Sequence, residues 1–222
     1  MRLRKRKLEM ILSQLSRNPD PDPSLEQYEL SPQSASEVLI TAWQNGDVEG
    51  KRVCDLGCGT GILLIGAALS GAEAVWGMDI DPVALGVARE NINIAESKSG
   101  LEIGCRTKLI RIDVGDIDAE TAGVFDTVIQ NPPFGVQQRS SDRIFIRKAL
   151  ELAPAVYSIH KRHDDVERFL SKFIRDAGGR IEGRIGIEVP IPRQFDFHSR
   201  PSYAVKADLY VIRRIDFGSE AS

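Results

Sequence analysis

The chain has 222 residues, 42% apolar and 27% charged, with 19 Gly and 11 Pro. That length suits one domain whose core needs neither disulfides nor a structural metal, and the composition excludes a wholly disordered, collagen-like or coiled-coil chain. The net charge of −3 hides an asymmetry: residues 1–130 hold 13 Lys/Arg against 20 Asp/Glu, and residues 131–222 hold 16 against 12. A basic footprint for a polyanion therefore has room mainly in the second part.

Residues 2–17 read as a basic amphipathic helix with Leu8, Ile11, Leu12 and Leu15 at helical spacing. The run Asn18-Pro19-Asp20-Pro21-Asp22-Pro23 breaks it, and a second helix is expected from Pro32 to Trp43. From Lys51 onward strands and helices alternate. Strands are expected at Arg52–Asp55, Ala74–Asp79, Thr107–Ile112, Phe125–Gln130 and Ala155–Ile159. Helices are expected from about Gly61, at Pro82–Glu96, Arg143–Leu152 and Asp164–Ala177. Two long strands then follow without a helix between them, Arg180–Pro190 and Tyr203–Arg213. Seven strands in this pattern predict an α/β fold: a mostly parallel sheet with helices on both faces and an antiparallel strand at the C-terminal end.

Membrane and secretory readings are weak. The longest apolar stretch, Ile62–Leu69, is interrupted by Gly66 and falls far below the roughly 20 residues of a span. Met1–Lys7 is basic, but the segment after it is too short and too polar for a secretory core. Cys54, Cys58 and Cys105 cannot all pair, and no two have Cys-x-x-Cys spacing. The pattern points to a reducing cytoplasm and to no metal.

Asp55-Leu56-Gly57-Cys58-Gly59-Thr60-Gly61 runs from an apolar strand through a glycine turn into a helix. Glycines allow a tight turn and close approach to a ligand. The G-x-G-x-G spacing departs from the G-x-G-x-x-G of dinucleotide enzymes, and a plain tight turn is the alternative. Asp79 ends the second strand, where a carboxylate accepts ribose hydroxyls; the competing role, capping the next helix, suits Asp81 better. Asp113 ends the third strand. It reads either as a solvated loop carboxylate or as an acceptor for an adenine amine, with the Val114 N–H reaching the ring. Glycine loop, Asp79 and Asp113 fall at successive strand ends, where open α/β sheets bind ligands. The combination resembles the S-adenosylmethionine-dependent class I methyltransferases of Rossmann-like fold, over roughly residues 50–215.

Asn131-Pro132-Pro133-Phe134 follows the fourth strand. A proline turn ending a strand accounts for the prolines alone. An exocyclic amine is a poor nucleophile because its lone pair is delocalised. Accepting hydrogen bonds from both its N–H groups, at the Asn131 side-chain oxygen and the Pro132 carbonyl, turns that lone pair toward the methyl. Two prolines stiffen the acceptors, and Phe134 offers a stacking face for a flipped base. The tetrapeptide resembles the [N/D]-P-P-[F/Y/W] signature of amino methyltransferases, which serves adenine N6, cytosine N4, guanine N2 and glutamine N5 alike.

Leu25-Glu26-Gln27-Tyr28, Phe125–Gln130 before the tetrapeptide, Val156–Lys161 and Phe197-His198 narrow the resemblance. Together they are similar to the archaeal and eukaryotic methyltransferase-like family that makes N6-methyladenosine in small-subunit ribosomal RNA. The resemblance implies a helical extension and cofactor lid over residues 1–49, ahead of one methyltransferase domain over 50–222. It implies S-adenosylmethionine contacts at Gln27, Tyr28, Leu30, Asp55, Gly57, Cys58, Gly59, Thr60, Gly61, Asp79, Ile80, Asp113, Val114 and Asn131. Leu30 stands where the family commonly has Thr, and Ser31 is the alternative hydroxyl. Asn131, Pro132, Pro133 and Phe134 are implied to hold the target base.

Arg139, Arg143, Arg193, His198, Arg200 and Lys206 are candidates for an RNA groove, with Phe195 and Phe197 stacking on flanking bases; solvated charge and edge aromatics are the competing description. His160 reads either as a group binding a proton near neutral pH or as a strand-end residue with a satisfied hydrogen bond. A small zinc-containing activator subunit, pairing edge strand to edge strand, is the partner the family implies, and an exposed apolar face near Val75–Met78 would be its mark. The function expected is RNA adenosine N6-methylation. Guanine N2 or protein glutamine methylation, and a catalytically silent RNA-binding scaffold, are the alternatives. A nicotinamide dehydrogenase fits least.

Overall fold

The computed structural model describes residues 4–19, 29–118, 125–133, 141–191 and 203–215. In chain order the elements are α1 (Lys5–Leu12), α2 (Pro32–Gln44), β1 (Arg52–Leu56), α3 (Ile62–Leu69), β2 (Ala74–Asp79) and α4 (Pro82–Ser99). They continue with β3 (Thr107–Arg111), β4 (Thr127–Gln130), α5 (Ser141–Leu152), β5 (Ala155–Lys161), α6 (Asp164–Asp176), β6 (Gly179–Ile191) and β7 (Tyr203–Arg214).

The seven strands form one sheet in the order β3-β2-β1-β4-β5-β7-β6. β1 to β5 are parallel, and β7 runs antiparallel to both β5 and β6. The antiparallel strand thus lies inside the sheet, between β5 and β6, rather than at its border.

Two buried clusters cover the two faces. Leu8 and Leu12 of α1, Val38 and Leu39 of α2, Leu64 of α3 and Ile92 of α4 pack with Ile129 and Ile159 on one. Ile146 and Leu150 of α5 and Leu170 and Ile174 of α6 pack with Val128, Val156 and Ile212 on the other. The parallel strands are covered on both sides, which is why β4 and β5 read as near-continuous apolar runs.

Where boundaries differ from expectation, a local cause is visible. The first helix stops at Leu12, short of residue 17, because Asn91 of α4 captures the backbone beyond it. The Asn91 Oδ1 accepts the Ser16 N–H at 2.7 Å and its Nδ2 donates to the Ser16 carbonyl at 2.9 Å. α4 runs three residues past Glu96 and ends on Gly100, whose φ of 71° closes the helix in the left-handed region. Asp81 caps its start by accepting the Val83 N–H at 2.8 Å, as expected. Val75 and Met78 are buried, since β2 is an interior strand between β1 and β3; the exposed apolar face expected there is not present. Cys54, Cys58 and Cys105 are free thiols. Among the described residues no helix is long and apolar enough to cross a membrane.

Candidate active site

Strand register brings the site together. Leu56 of β1 pairs with Gln130 of β4 and with Met78 of β2, so Gly57, Asn131 and Asp79 leave adjacent strands side by side. Asp79 in turn pairs with Arg111 of β3, two residues before Asp113. All four positions lie at strand carboxyl ends, and the order reverses direction between β1 and β4. This is the topological switch point where open α/β sheets take ligands.

The glycine loop is held from behind. Gly57 N and Cys58 N both donate to the Met78 carbonyl, at 2.8 and 3.0 Å, and Gly59 N donates to Asp79 Oδ2 at 2.7 Å. Gly59 has φ of 51°, and a side chain there would meet nothing within 4 Å. The space before the loop is therefore open. At Gly57, φ is 74° and an added Cβ would lie 2.9 Å from the Phe145 ring. That aromatic of α5 backs the loop and was not singled out in the sequence.

Two buried carboxyls stand beside the loop, Asp79, which holds Gly59, and Asp55, two residues before Gly57. Asp55 Oδ2 accepts the Leu64 N–H at 2.8 Å, which ties β1 to the first turn of α3. Its Oδ1 is buried with no partner among the described residues. Burial pushes the Asp55 pKa up to about 7, the Leu64 N–H opposes the rise and Asp79 adds to it. Burial raises Asp79 as well, against the N–H groups of Asp81 and Gly59. An acceptor without a donor, a second carboxyl and an open glycine loop suit a ligand that brings positive charge. S-adenosylmethionine, with its ammonium and sulfonium, is such a ligand, and the residues present fit it.

The other implied contacts are placed as follows. Cys58 is buried and Thr60 half-buried in the loop, and Gly61 caps α3 with φ of 85°. Ile80 is exposed beside Asp79, and Val114 is buried. Asp113 is exposed, and its Oδ1 accepts the Gly115 N–H at 2.7 Å in a local turn. Leu30 is buried in the core. Ser31 cannot stand in freely for its missing hydroxyl, because the Ser31 Oγ caps α2 by accepting the Ser34 N–H at 3.0 Å. Asn131 and Pro133 are half-buried and Pro132 is buried. Gln27, Tyr28, Phe134, Arg139, Arg193, Phe195, Phe197, His198 and Arg200 lie outside the described residues. Arg143 stands over the Phe169 ring, 4.7 Å from its centre, and Lys206 is exposed on β7. No group of three or more His, Cys, Asp or Glu is arranged to hold a metal among the described residues.

A residue that the sequence reading passed over, Asn91, also bears on the site. Asn91, fully buried, donates to the Thr60 carbonyl at 2.9 Å while holding Ser16, and so joins the glycine loop to the N-terminal segment. Its signal was an Asn in the apolar stripe Ala84, Ala88, Asn91, Ala95. His160 is buried, and burial pushes its pKa down to about 3, so the strand-end reading with a satisfied hydrogen bond is the one that holds.

Sheet order and switch-point site together define a class I methyltransferase. The family model of the ribosomal protein L11 methyltransferase (PrmA) matches residues 35–131, the glycine-loop half up to Asn131. The magnesium protoporphyrin IX methyltransferase (ChlM) of Synechocystis, solved with S-adenosylmethionine bound, shares the fold at a TM-score of 0.60 and 21% identity, over 81% of this chain and 78% of that one. A protein of Pyrococcus horikoshii described as a candidate RNA methyltransferase superposes at a TM-score of 0.85, with 37% identity over 97% of this chain and all of that one. The rRNA N6-adenosine-methyltransferase METTL5 of Danio rerio is 34% identical over 91% of this chain and 95% of its own. The chain belongs to this family of rRNA N6-adenosine-methyltransferases.

Proposed function

We propose that the protein transfers a methyl group from S-adenosylmethionine to N6 of an adenosine in small-subunit ribosomal RNA. The observation that carries the reading is the Leu56–Gln130 register, which sets the Asn131-Pro132-Pro133 segment beside the glycine loop. S-adenosylmethionine supplies an activated methyl on a sulfonium and departs as S-adenosylhomocysteine. The chain's part is to orient and to stabilise charge. Asp55 and Asp79 receive the ammonium and the ribose hydroxyls, with Ile80, Asp113 and Val114 around the adenine. Asn131 and the Pro132 carbonyl accept the two amine hydrogens, so the nitrogen lone pair points at the methyl; Phe134 stacks on the base. The proton released after the N–C bond forms goes to water.

The N-terminal extension, residues 1–49, serves as cofactor lid, with Gln27 and Tyr28 among its contacts. The basic part of the chain meets RNA through Arg139, Arg143, Phe195, Phe197, His198, Arg200 and Lys206. The proposed setting is the cytoplasm. An activator subunit would pair with β3, an outer strand whose Leu109 and Ile110 are half-buried.

Labelled cofactor offered with ribosomal RNA, and separately with total protein, tests the reading. Digestion of the RNA should yield labelled N6-methyladenosine. Label in N2-methylguanosine or in protein glutamine would replace it with the corresponding alternative, and undetectable cofactor binding by calorimetry would favour the silent scaffold. Asn131→Ala should abolish transfer and retain cofactor binding, while Asp79→Ala should weaken that binding.

A further inference from the structure

The sheet face under α5 and α6 is apolar along most of its length, with Cys54, Val128, Val156 and Ile212 packed on Ile146, Leu150 and Ile174. At the carboxyl-end rim the pattern breaks. Two residues beyond Val128 and Val156 stand Gln130 and Ser158, and two beyond Ser158 stands His160; they are 0%, 0% and 1% exposed. Burying polar side chains costs free energy unless they are bonded, and these bond to one another, with Gln130 Oε1 left buried and without a partner among the described residues. Gln130 Nε2 donates to Ser158 Oγ at 2.9 Å, and Ser158 Oγ lies 2.7 Å from His160 Nε2. His160 Nδ1 faces Asp142 Oδ2 at 4.0 Å, in the first turn of α5. The Tyr210 ring stands edge-on to the imidazole, centres 5.6 Å apart.

The direction of this chain follows from its ends. A carboxylate favours a proton facing it, so Nδ1 carries the imidazole hydrogen and Nε2 accepts. Ser158 therefore donates its hydroxyl hydrogen bond to His160 Nε2 and accepts the Gln130 amide N–H on its oxygen. Both donors point the same way, from β4 into β5, and the Nδ1 hydrogen is turned toward the Asp142 carboxyl 4.0 Å away. A neutral ring is what this arrangement needs, and burial supplies it.

The chain starts beside the residue read as the amine acceptor: Gln130 immediately precedes Asn131. We infer that Gln130, Ser158 and His160 are positioning residues for methyl transfer, a one-way hydrogen-bond chain that fixes the end of β4, and with it Asn131, relative to β5. This rests on the reading of Asn131 as the amine acceptor. An apolar trio would fill the space as the rest of the face does, but contacts without direction leave a strand end free to shift, and small misplacements of a reacting group are costly.

Ser158→Ala removes the central hydroxyl with little change in volume. The expected result is a fall in kcat of about tenfold, with KM for RNA and Kd for S-adenosylmethionine within about twofold of wild type. Ser158→Thr, which keeps a hydroxyl, should recover most of the rate. Nitrogen-15 spectra of the unmodified protein at pH 7 should show His160 neutral with its hydrogen on Nδ1, a readout independent of any variant's folding. Wild-type kcat in Ser158→Ala, an equal loss of cofactor binding, or a hydrogen on Nε2 overturns the inference. Full activity in Asn131→Ala would remove the base-holding reading and the positioning with it; an inactive Asn131→Ala beside a fully active Ser158→Ala would remove the positioning alone.

Discussion

Asp55 is held by one hydrogen bond and left open at its second oxygen, and burial moves its pKa up to about 7. An unfolded Asp titrates near 4, so between those values the native state holds a proton that the unfolded state has lost. Stability contributed by that proton is present at low pH and disappears as pH rises through about 7. Asp55→Asn keeps an acceptor for Leu64 and has nothing to ionise. In thermal melts without cofactor at pH 5 and pH 8, wild type should therefore lose ground to the variant at the higher pH, by up to about 3 kcal/mol. Parallel behaviour of the two would remove the argument. The same variant should bind S-adenosylmethionine more weakly, because a neutral amide attracts an ammonium less. Asp55, Asp79 and Asn131 were legible in the sequence because each sits at a strand end flanked by glycine or proline. Phe145 and Gln130 were not. Their importance comes from what lies across the sheet from them, Gly57 for one and Ser158 for the other, and pairings between distant segments leave no local mark.

Among elements, α1 shows how much of a helix's fate is decided by its neighbours. Its apolar positions were readable, and Leu8 and Leu12 are buried as their spacing implies. Its end was not, because the competitor for the backbone of Ser16 is the side chain of Asn91, 75 residues away. Asn91 holds three things at once: α4, the Ser16 segment and the Thr60 carbonyl of the glycine loop. Asn91→Ala should remove three hydrogen bonds to partly buried backbone groups and cost about 1–3 kcal/mol of stability, read by denaturant unfolding. It should also weaken cofactor binding. Leu12→Ala, by contrast, should cost about 2–5 kcal/mol through the cavity it leaves, while the dissociation constant for S-adenosylmethionine stays near that of wild type. A loss of binding as large as that of Asn91→Ala would show that α1 supports the site through packing rather than through Asn91.

For the whole molecule, the charge halves meet at Asn131: net −7 before it and +4 from it onward. The acidic half surrounds a ligand with cationic groups, and the basic half is the one proposed to face phosphate. RNA affinity should fall by about tenfold or more between about 50 and 200 mM salt, while cofactor affinity changes little. A filter-binding series checks both, and an RNA affinity indifferent to salt would contradict the basic face. The alternation of strands and helices made the sheet legible, but the interior place of β7 was not, since sequence order says nothing about which side of β6 a hairpin docks. That place has a consequence for assembly. Among the described residues β6 has no partner in the sheet other than β7, and β7 is the latest of the seven strands to be synthesised. Until it exists, β5 presents a bare edge and β6 has nothing to join. The strands carrying Gly57, Asp79 and Asn131 can come together early, whereas β6 joins the sheet only through β7, whose pairing with β5 is a slow non-local step. A chain caught before that step exposes the kind of unpaired strand on which aggregation begins.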